Sequence, residues 1–133
     1  MLVIGELESQ VLEVLRKKGT ATASDVLQVL RERRGLAYTT VSTTLDRLHK
    51  KGLVRRKTLS GPGGIKYLFS LSGDERLKRR IVESSLNRLT SAFGETANSV
   101  IYRYLQTLPP SEYNGLKKHV QKTKPGKLRK SLL

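Results

Sequence analysis

The sequence predicts a mainly α chain with a small β-hairpin, on three observations. Three segments with helical apolar spacing come first. Two segments with period-two spacing follow, parted by a turn rich in Gly and Pro. Further helical segments fill the rest of the 133 residues. That length suits one domain, or a small domain with an accessory segment, and it can bury a core without metal or disulfide support.

Each element has its own signature. In residues 6–18, Leu7, Val11, Val14 and Leu15 recur at helical spacing, and Arg16-Lys17-Lys18-Gly19 forms a C-terminal signal. Thr20-Ala21-Thr22-Ala23 reads as a short connection, with Thr22 and Asp25 spaced to cap the second helix. Val26, Leu27, Val29 and Leu30 give that helix a broad apolar face, and it ends near Arg33-Arg34-Gly35. The third helix starts near Tyr38 or Thr39 and runs to about Lys51. On it, Val41, Thr44, Leu45 and Leu48 share an arc of about 100°. Thr39, Ser42, Thr43, Asp46, Arg47 and Lys50 lie opposite, short-chained toward the N-terminus and basic toward the C-terminus. Gly52 breaks the helix. Residues 53–57 and 65–70 are the two strands, the second with Ile65, Tyr67 and Phe69 on one face. Ser60-Gly61-Pro62-Gly63-Gly64 is the turn between them. Helix, helix, helix, hairpin is the layout of a winged helix-turn-helix domain, placed over residues 1–71.

Residues 72–122 read as a helical dimerisation segment. Its first helix, 74–93, carries Leu77, Ile81, Val82, Leu86, Leu89 and Phe93. Its second, 95–107, carries Ala97, Val100, Ile101, Tyr104 and Leu105 at 3.6-residue spacing. Pro109-Pro110 opens a third, with Tyr113, Leu116 and Val120, weakened by Gly115. Three helices cannot cover such wide apolar faces among themselves. Packing against a second copy in a two-fold dimer solves this, the alternative being a fold back onto the first domain. The candidate dimer residues are Leu77, Ile81, Leu86, Leu89, Phe93, Val100, Ile101, Tyr104, Leu105, Leu116 and Val120. Arg76, Lys78, Arg79 and Arg80 open the long helix, where cations oppose the helix dipole and hint at an acidic neighbour or DNA. Residues 123–133 read as a basic, disordered tail.

Charge is the strongest compositional signal. The chain has 26 Lys and Arg against 11 Asp and Glu, a net of +15. Such a surface calls for a polyanionic partner, nucleic acid first and an anionic membrane second. Residues 1–71 hold 13 basic and 6 acidic residues, yet residues 47–66 alone hold seven cations and no acid. The excess therefore concentrates on the end of the third helix and the hairpin.

Other classes fall away. There is no Cys, which removes disulfides, thiolate metal sites and a Cys nucleophile. His49 and His119 stand far apart, so no metal site and no cofactor are expected. No nucleophile–base pair or phosphate-binding Gly motif before a helix is present, and no enzyme is expected. Met1-Leu2-Val3-Ile4 is too short a prelude to Gly5-Glu6 for a signal peptide, and nothing approaches the roughly 18 apolar residues of a membrane span. A soluble, cytoplasmic protein is expected.

The run Leu36-Ala37-Tyr38-Thr39-Thr40-Val41-Ser42-Thr43-Thr44-Leu45-Asp46-Arg47-Leu48, followed by Lys51-Gly52-Leu53-Val54, resembles the BlaI/MecI/CopY (penicillinase repressor) family of winged helix-turn-helix repressors. Gly5-Glu6-Leu7-Glu8, Gly19-Thr20-Ala21-Thr22 and Tyr67-Leu68-Phe69-Ser70 are similar to that family's first-helix, turn and second wing-strand signatures. The likeness covers residues 5–71 in motif and the remainder in helical layout. It implies a homodimeric repressor on an inverted-repeat operator. In antibiotic-resistance members a membrane sensor protease cuts the dimerisation domain at an Asn-Phe pair; Asn98-Ser99-Val100-Ile101-Tyr102-Arg103-Tyr104 holds no such pair here. Copper-responsive members carry a C-terminal cysteine motif, which this chain lacks. The inducer or protease that would act here is unidentified.

The candidate DNA contacts follow from groove chemistry. Ser42 and Thr43 have hydroxyls that donate or accept, and a Thr methyl can touch a thymine methyl. Thr39 and Thr40 are read equally as contacts or as helix caps. Tyr38 either donates to a phosphate or packs its ring under the helix. Arg47 reaches guanine or, more commonly for such residues, phosphate. Lys50 is also a candidate, although Lys50 and Lys51 read equally as solvated charges. In the wing, Arg55, Arg56, Lys57 and Lys66 flank the turn and can lie along phosphates, whereas the tip itself carries no cation. The function read from this is sequence-specific repression by a homodimer on double-stranded DNA. The alternatives are a non-specific architectural DNA-binding protein, or a winged-helix interaction module of a larger assembly.

Overall fold

The structure is a computed structural model. It describes residues 3–32 and 35–121, and of these the side chains of 113 and 117–121 are left aside. The Val120 dimer assignment and the tail at 123–133 therefore lie outside the described residues. The chain divides into two compact units, one spanning Val3–Arg79 and one from Arg80 onward.

The first unit runs α1 (Glu6–Lys18), β1 (Thr20–Ala21), α2 (Ala23–Arg31), α3 (Tyr38–Lys50), β2 (Val54–Gly61) and β3 (Gly64–Leu71), and ends in the first residues of α4 (Glu75–Phe93). The three helices close on one another through Val11, Leu15, Val26, Leu30, Val41, Leu45 and Leu48, all fully buried. These are the residues whose helical spacing marks the apolar faces, so the core follows from periodicity. At α2 the expected cap forms in both directions. The Asp25 N–H donates to Thr22 Oγ1 at 3.2 Å, and the Thr22 N–H donates to Asp25 Oδ2 at 3.0 Å. The Thr22 N–H, and after it the Thr22 hydroxyl, hold the Asp25 carboxyl below its usual pKa.

Two local expectations are corrected. Thr20 and Ala21 are not a plain connection: they pair antiparallel with Ser70 and Phe69, so the sheet is three-stranded in the order β1-β3-β2. Gly19, at φ +83°, turns the chain out of α1 into this pairing, a conformation only Gly adopts without cost. The hairpin strands are also longer than expected. They run register by register from Val54↔Leu71 to Gly61↔Gly64, leaving only Pro62-Gly63 as the turn. Thr58, Leu59 and Ser60 thus belong to strand. Every residue of β2 after Val54 is exposed, so burial imposes no alternation there, and nothing in the sequence extends the strand past Lys57.

The second unit holds the rest of α4, then α5 (Glu95–Thr107) and α6 (Pro110–Gln121). Gly94, at φ +57°, separates α4 from α5, and its N–H donates to the Thr90 carbonyl at 2.8 Å. Ile81 and Ala97 are the buried apolar residues in this unit among those described. Val82, Leu89, Phe93, Val100, Tyr102, Tyr104, Leu105 and Leu116 are exposed, Phe93 at 64% and Tyr102 at 65%.

Candidate nucleic-acid interface

The interface is built on α3. Its inner face is anchored by Val41, Leu45 and Leu48, and by Thr44, whose buried hydroxyl donates to the Thr40 carbonyl at 2.8 Å. Ala37 occupies the N-cap with no side-chain bond, so neither Thr39 nor Thr40 caps the helix. The capping reading of those two residues is corrected. Tyr38, Thr39, Thr40, Thr43, Arg47 and Lys50 are exposed, and Ser42 is half-buried.

The C-terminal end of α3 is pinned three ways. Lys51 Nζ donates to both Glu8 carboxylate oxygens, at 2.7 and 3.0 Å, and to the Val3 carbonyl at 2.9 Å. Lys51 is therefore not a solvated charge but a tie from α3 to α1. Its partner Glu8 is 8% exposed and also accepts from the Gly5 N–H at 3.1 Å. Burial alone would raise the Glu8 pKa; the Lys51 ammonium and the Gly5 N–H outweigh it and bring the carboxyl below its usual value. The His49 ring N–H at Nδ1 donates to the Val54 carbonyl at 3.0 Å, tying the helix to the start of the wing. Gly52, at φ +82°, makes the turn between them, with Leu77 Cδ2 close beside it. Leu77, a candidate dimer residue, thus packs within the first unit.

The register sorts the wing cations. Alternation along paired strands puts Val54, Arg56, Thr58 and Ser60 on one face with Ile65, Tyr67, Phe69 and Leu71. Arg55, Lys57 and Leu59 lie on the other face, with Lys66 and Leu68. The four wing cations therefore do not form one strip. Arg55, Lys57 and Lys66 share a face and are exposed. Arg56 turns toward α3, with its Nη1 3.4 Å from Asp46 Oδ1 and its Cζ 4.5 Å from the Tyr67 ring centroid. A cleft of about 240 Å³ separates the two elements, lined by Tyr38, Ser42 and Asp46 from α3 and by Ile65, Tyr67 and Phe69 from β3. Asp46 and Tyr67, placed on these faces from sequence, were not among the candidate contacts. The available signal was that Asp46 is the one acid between Glu32 and Asp74.

At the start of α4, the cationic run has local compensation. Asp74 accepts from the Leu77 N–H at 3.1 Å, and Lys78 pairs with Glu75 at 3.1 Å. Among the described residues no group of His, Cys, Asp and Glu can hold a metal ion, and no helix is long and apolar enough to cross a membrane.

Three helices closed by a small sheet with a long hairpin define a winged-helix fold, the class of many transcriptional regulators. A possible transcriptional regulator from Methanosarcina mazei Go1 is similar at TM-score 0.51 and 18% identity, over 69% of this chain and 78% of its own. A PadR family transcription regulator from hypervirulent Clostridium difficile gives 0.48 and 18%, over 69% and 98%. A mutant MarR from E. coli, complexed with operator DNA, gives 0.44 and 21%, over 92% and 76%. Likeness at these identities is of fold. No curated protein sequence matches. Residues 4–122 match the penicillinase repressor family, and the chain belongs to that family.

Proposed function

We propose that the chain is a sequence-specific DNA-binding transcriptional repressor, acting as a homodimer on an inverted repeat. The observation that carries this reading is the outer stripe of α3. Thr39, Thr43, Arg47 and Lys50 stand exposed on a helix whose opposite side is fully buried and whose end is pinned to α1 and β2. Such a helix can enter a major groove without deforming. Its hydroxyls then meet base edges, Arg47 meets guanine or phosphate, and Tyr38, Thr40 and Lys50 meet the backbone. Ser42, at the rim of the wing cleft, is assigned a base-edge contact. Arg55, Lys57 and Lys66 follow the adjacent phosphates. Membership of the penicillinase repressor family supports repression as the outcome.

Residues 72–122 are assigned to dimerisation, through Leu86, Leu89, Phe93, Val100, Ile101, Tyr104, Leu105 and Leu116. Six of these, Leu89, Phe93, Val100, Tyr104, Leu105 and Leu116, are exposed, and Leu86 and Ile101 are half-buried; exposed apolar side chains in this number, on helices of a small unit, are the mark of a surface that is covered in the working state. The experiment is selection of bound duplexes from a random-sequence library at about 0.15 M salt. Enrichment of an inverted repeat is expected, with half-site centres about 10 base pairs apart or a multiple of that. Recovery of sequences no different from the input would overturn specific repression and favour an architectural protein.

A further inference from the structure

We propose that Arg56 is a positioning residue that locks the wing to the recognition helix, and not a phosphate ligand. The inference rests in part on the DNA-binding reading and deepens it. Arg56 stands third in β2, opposite Phe69 and diagonal to Tyr67 on the same sheet face. Phe69 is 4% exposed and fixed in the core. Tyr67 packs on it with ring centroids 6.2 Å apart at 60°. The Arg56 guanidinium lies over the outer side of this pair, 4.5 Å from the Tyr67 centroid, and from there reaches Asp46 at 3.4 Å. The chain of contacts therefore runs from the core, through Phe69 and Tyr67, across Arg56, to α3.

Two features separate Arg56 from a phosphate ligand. Its partner Asp46 is itself anionic, so a phosphate drawn to Arg56 would meet a like charge beside it. The other three wing cations, Arg55, Lys57 and Lys66, lie on the opposite face and among the described residues have no acidic partner. Those three are free to meet phosphates; Arg56 spends its charge neutralising the lone acid of α3. A planar guanidinium can stack on a ring and pair at its edge at once, which an ammonium cannot do with the same geometry.

The test has two independent arms on the full chain. In the first, amide hydrogen exchange is followed in the protein without DNA. Arg56→Gln and Asp46→Asn are each expected to speed exchange in β2 and β3 several-fold, the double variant no more than the faster single one. Arg56→Lys is expected to restore little, and Lys57→Gln to change nothing. In the second, binding to a mixed-sequence 40-base-pair duplex is measured against salt. Lys57→Gln is expected to reduce the slope of log K against log salt by about 0.9 per protomer. Arg56→Gln is expected to leave that slope unchanged while weakening binding about two- to five-fold, the range of an exposed ion pair. Asp46→Asn is kept to the first arm, since loss of its charge would itself favour DNA. A slope loss of about 0.9 for Arg56→Gln, or unchanged exchange in β2 and β3, overturns the proposal. Absence of salt-dependent binding by the unaltered protein overturns the DNA-binding reading instead, and the exchange arm still decides the lock.

Discussion

Two adjacent lysines at the end of α3 have opposite fates. Lys50 is exposed and belongs to the candidate interface, whereas Lys51 is clasped by Glu8 and the Val3 carbonyl. Nothing in the local sequence separates them, because the partner of Lys51 lies 43 residues away. By contrast, the Thr22–Asp25 cap was legible, since both partners sit within one turn. Lys51→Ala leaves a nearly buried carboxylate without its cation and is expected to cost about 1–3 kcal/mol in urea unfolding at neutral pH. Lys50→Ala is expected to stay within about 0.5 kcal/mol. The sign of the pH dependence follows from Glu8, whose folded pKa lies below the ordinary 4.5. The stability it contributes is present above that unfolded value and is lost as pH falls through the folded one. The deficit of Lys51→Ala is therefore expected to be full at neutral pH and to close in acid below pH 4.5.

Among the elements, the helices were read nearly to the residue and the sheet was not. Residues 6–18 and 95–107 coincide with α1 and α5, because apolar spacing fills each segment and Gly19, after a cationic last turn, or Pro109 marks its end. The two residues of β1 are too few to show any period, and their pairing with Phe69 and Ser70 is a tertiary event. The same blindness hid the sorting of wing cations, which needs the register and not only the order of residues. For α3, the outward stripe was legible because its opposite face is apolar without exception apart from Thr44. Thr43→Ala separates function from fold. It replaces a poor helix former by the best one, so thermal stability is expected to hold or rise by a few tenths of a kcal/mol. Preference for the selected repeat over a mixed duplex is expected to fall by about 1 kcal/mol, read by competition gel shift.

At the scale of the whole molecule, a net charge of +15 on one chain becomes +30 on the proposed pair. Two interfaces on one duplex raise affinity by effective concentration and not by new contacts. Composition alone pointed to a polyanion; the seven cations of residues 47–66 are what tied the charge to a place. The apolar spacing of α4 and α5 pointed to a partner surface; of its candidates there Leu89, Phe93, Val100, Tyr104 and Leu105 are exposed, Leu86 and Ile101 half-buried and Ile81 buried, while Val82 and Tyr102, outside the candidate set, are exposed too. Sedimentation at micromolar concentration is expected to give a dimer. Phe93→Glu is expected to give a folded monomer whose salt slope on a repeat-bearing duplex is about half that of the dimer. A Phe93→Glu chain that remains dimeric with an unchanged slope would place the self-contact elsewhere.

The hairpin has a mechanical side. Its eight paired positions extend roughly 24 Å from the base at Val54 and Leu71 to the Pro62-Gly63 turn. It is held at the root by core residues and by Arg56, and beyond Lys57 and Lys66 nothing charged remains on it. Such a rod is a lever: a tilt of about 10° at the root sweeps its end through about 4 Å, comparable to the width of a minor groove, about 6 Å. Small losses of stiffness near Arg56 are thus magnified toward the tip, and the reach of the ribbon along DNA is set where it joins the core.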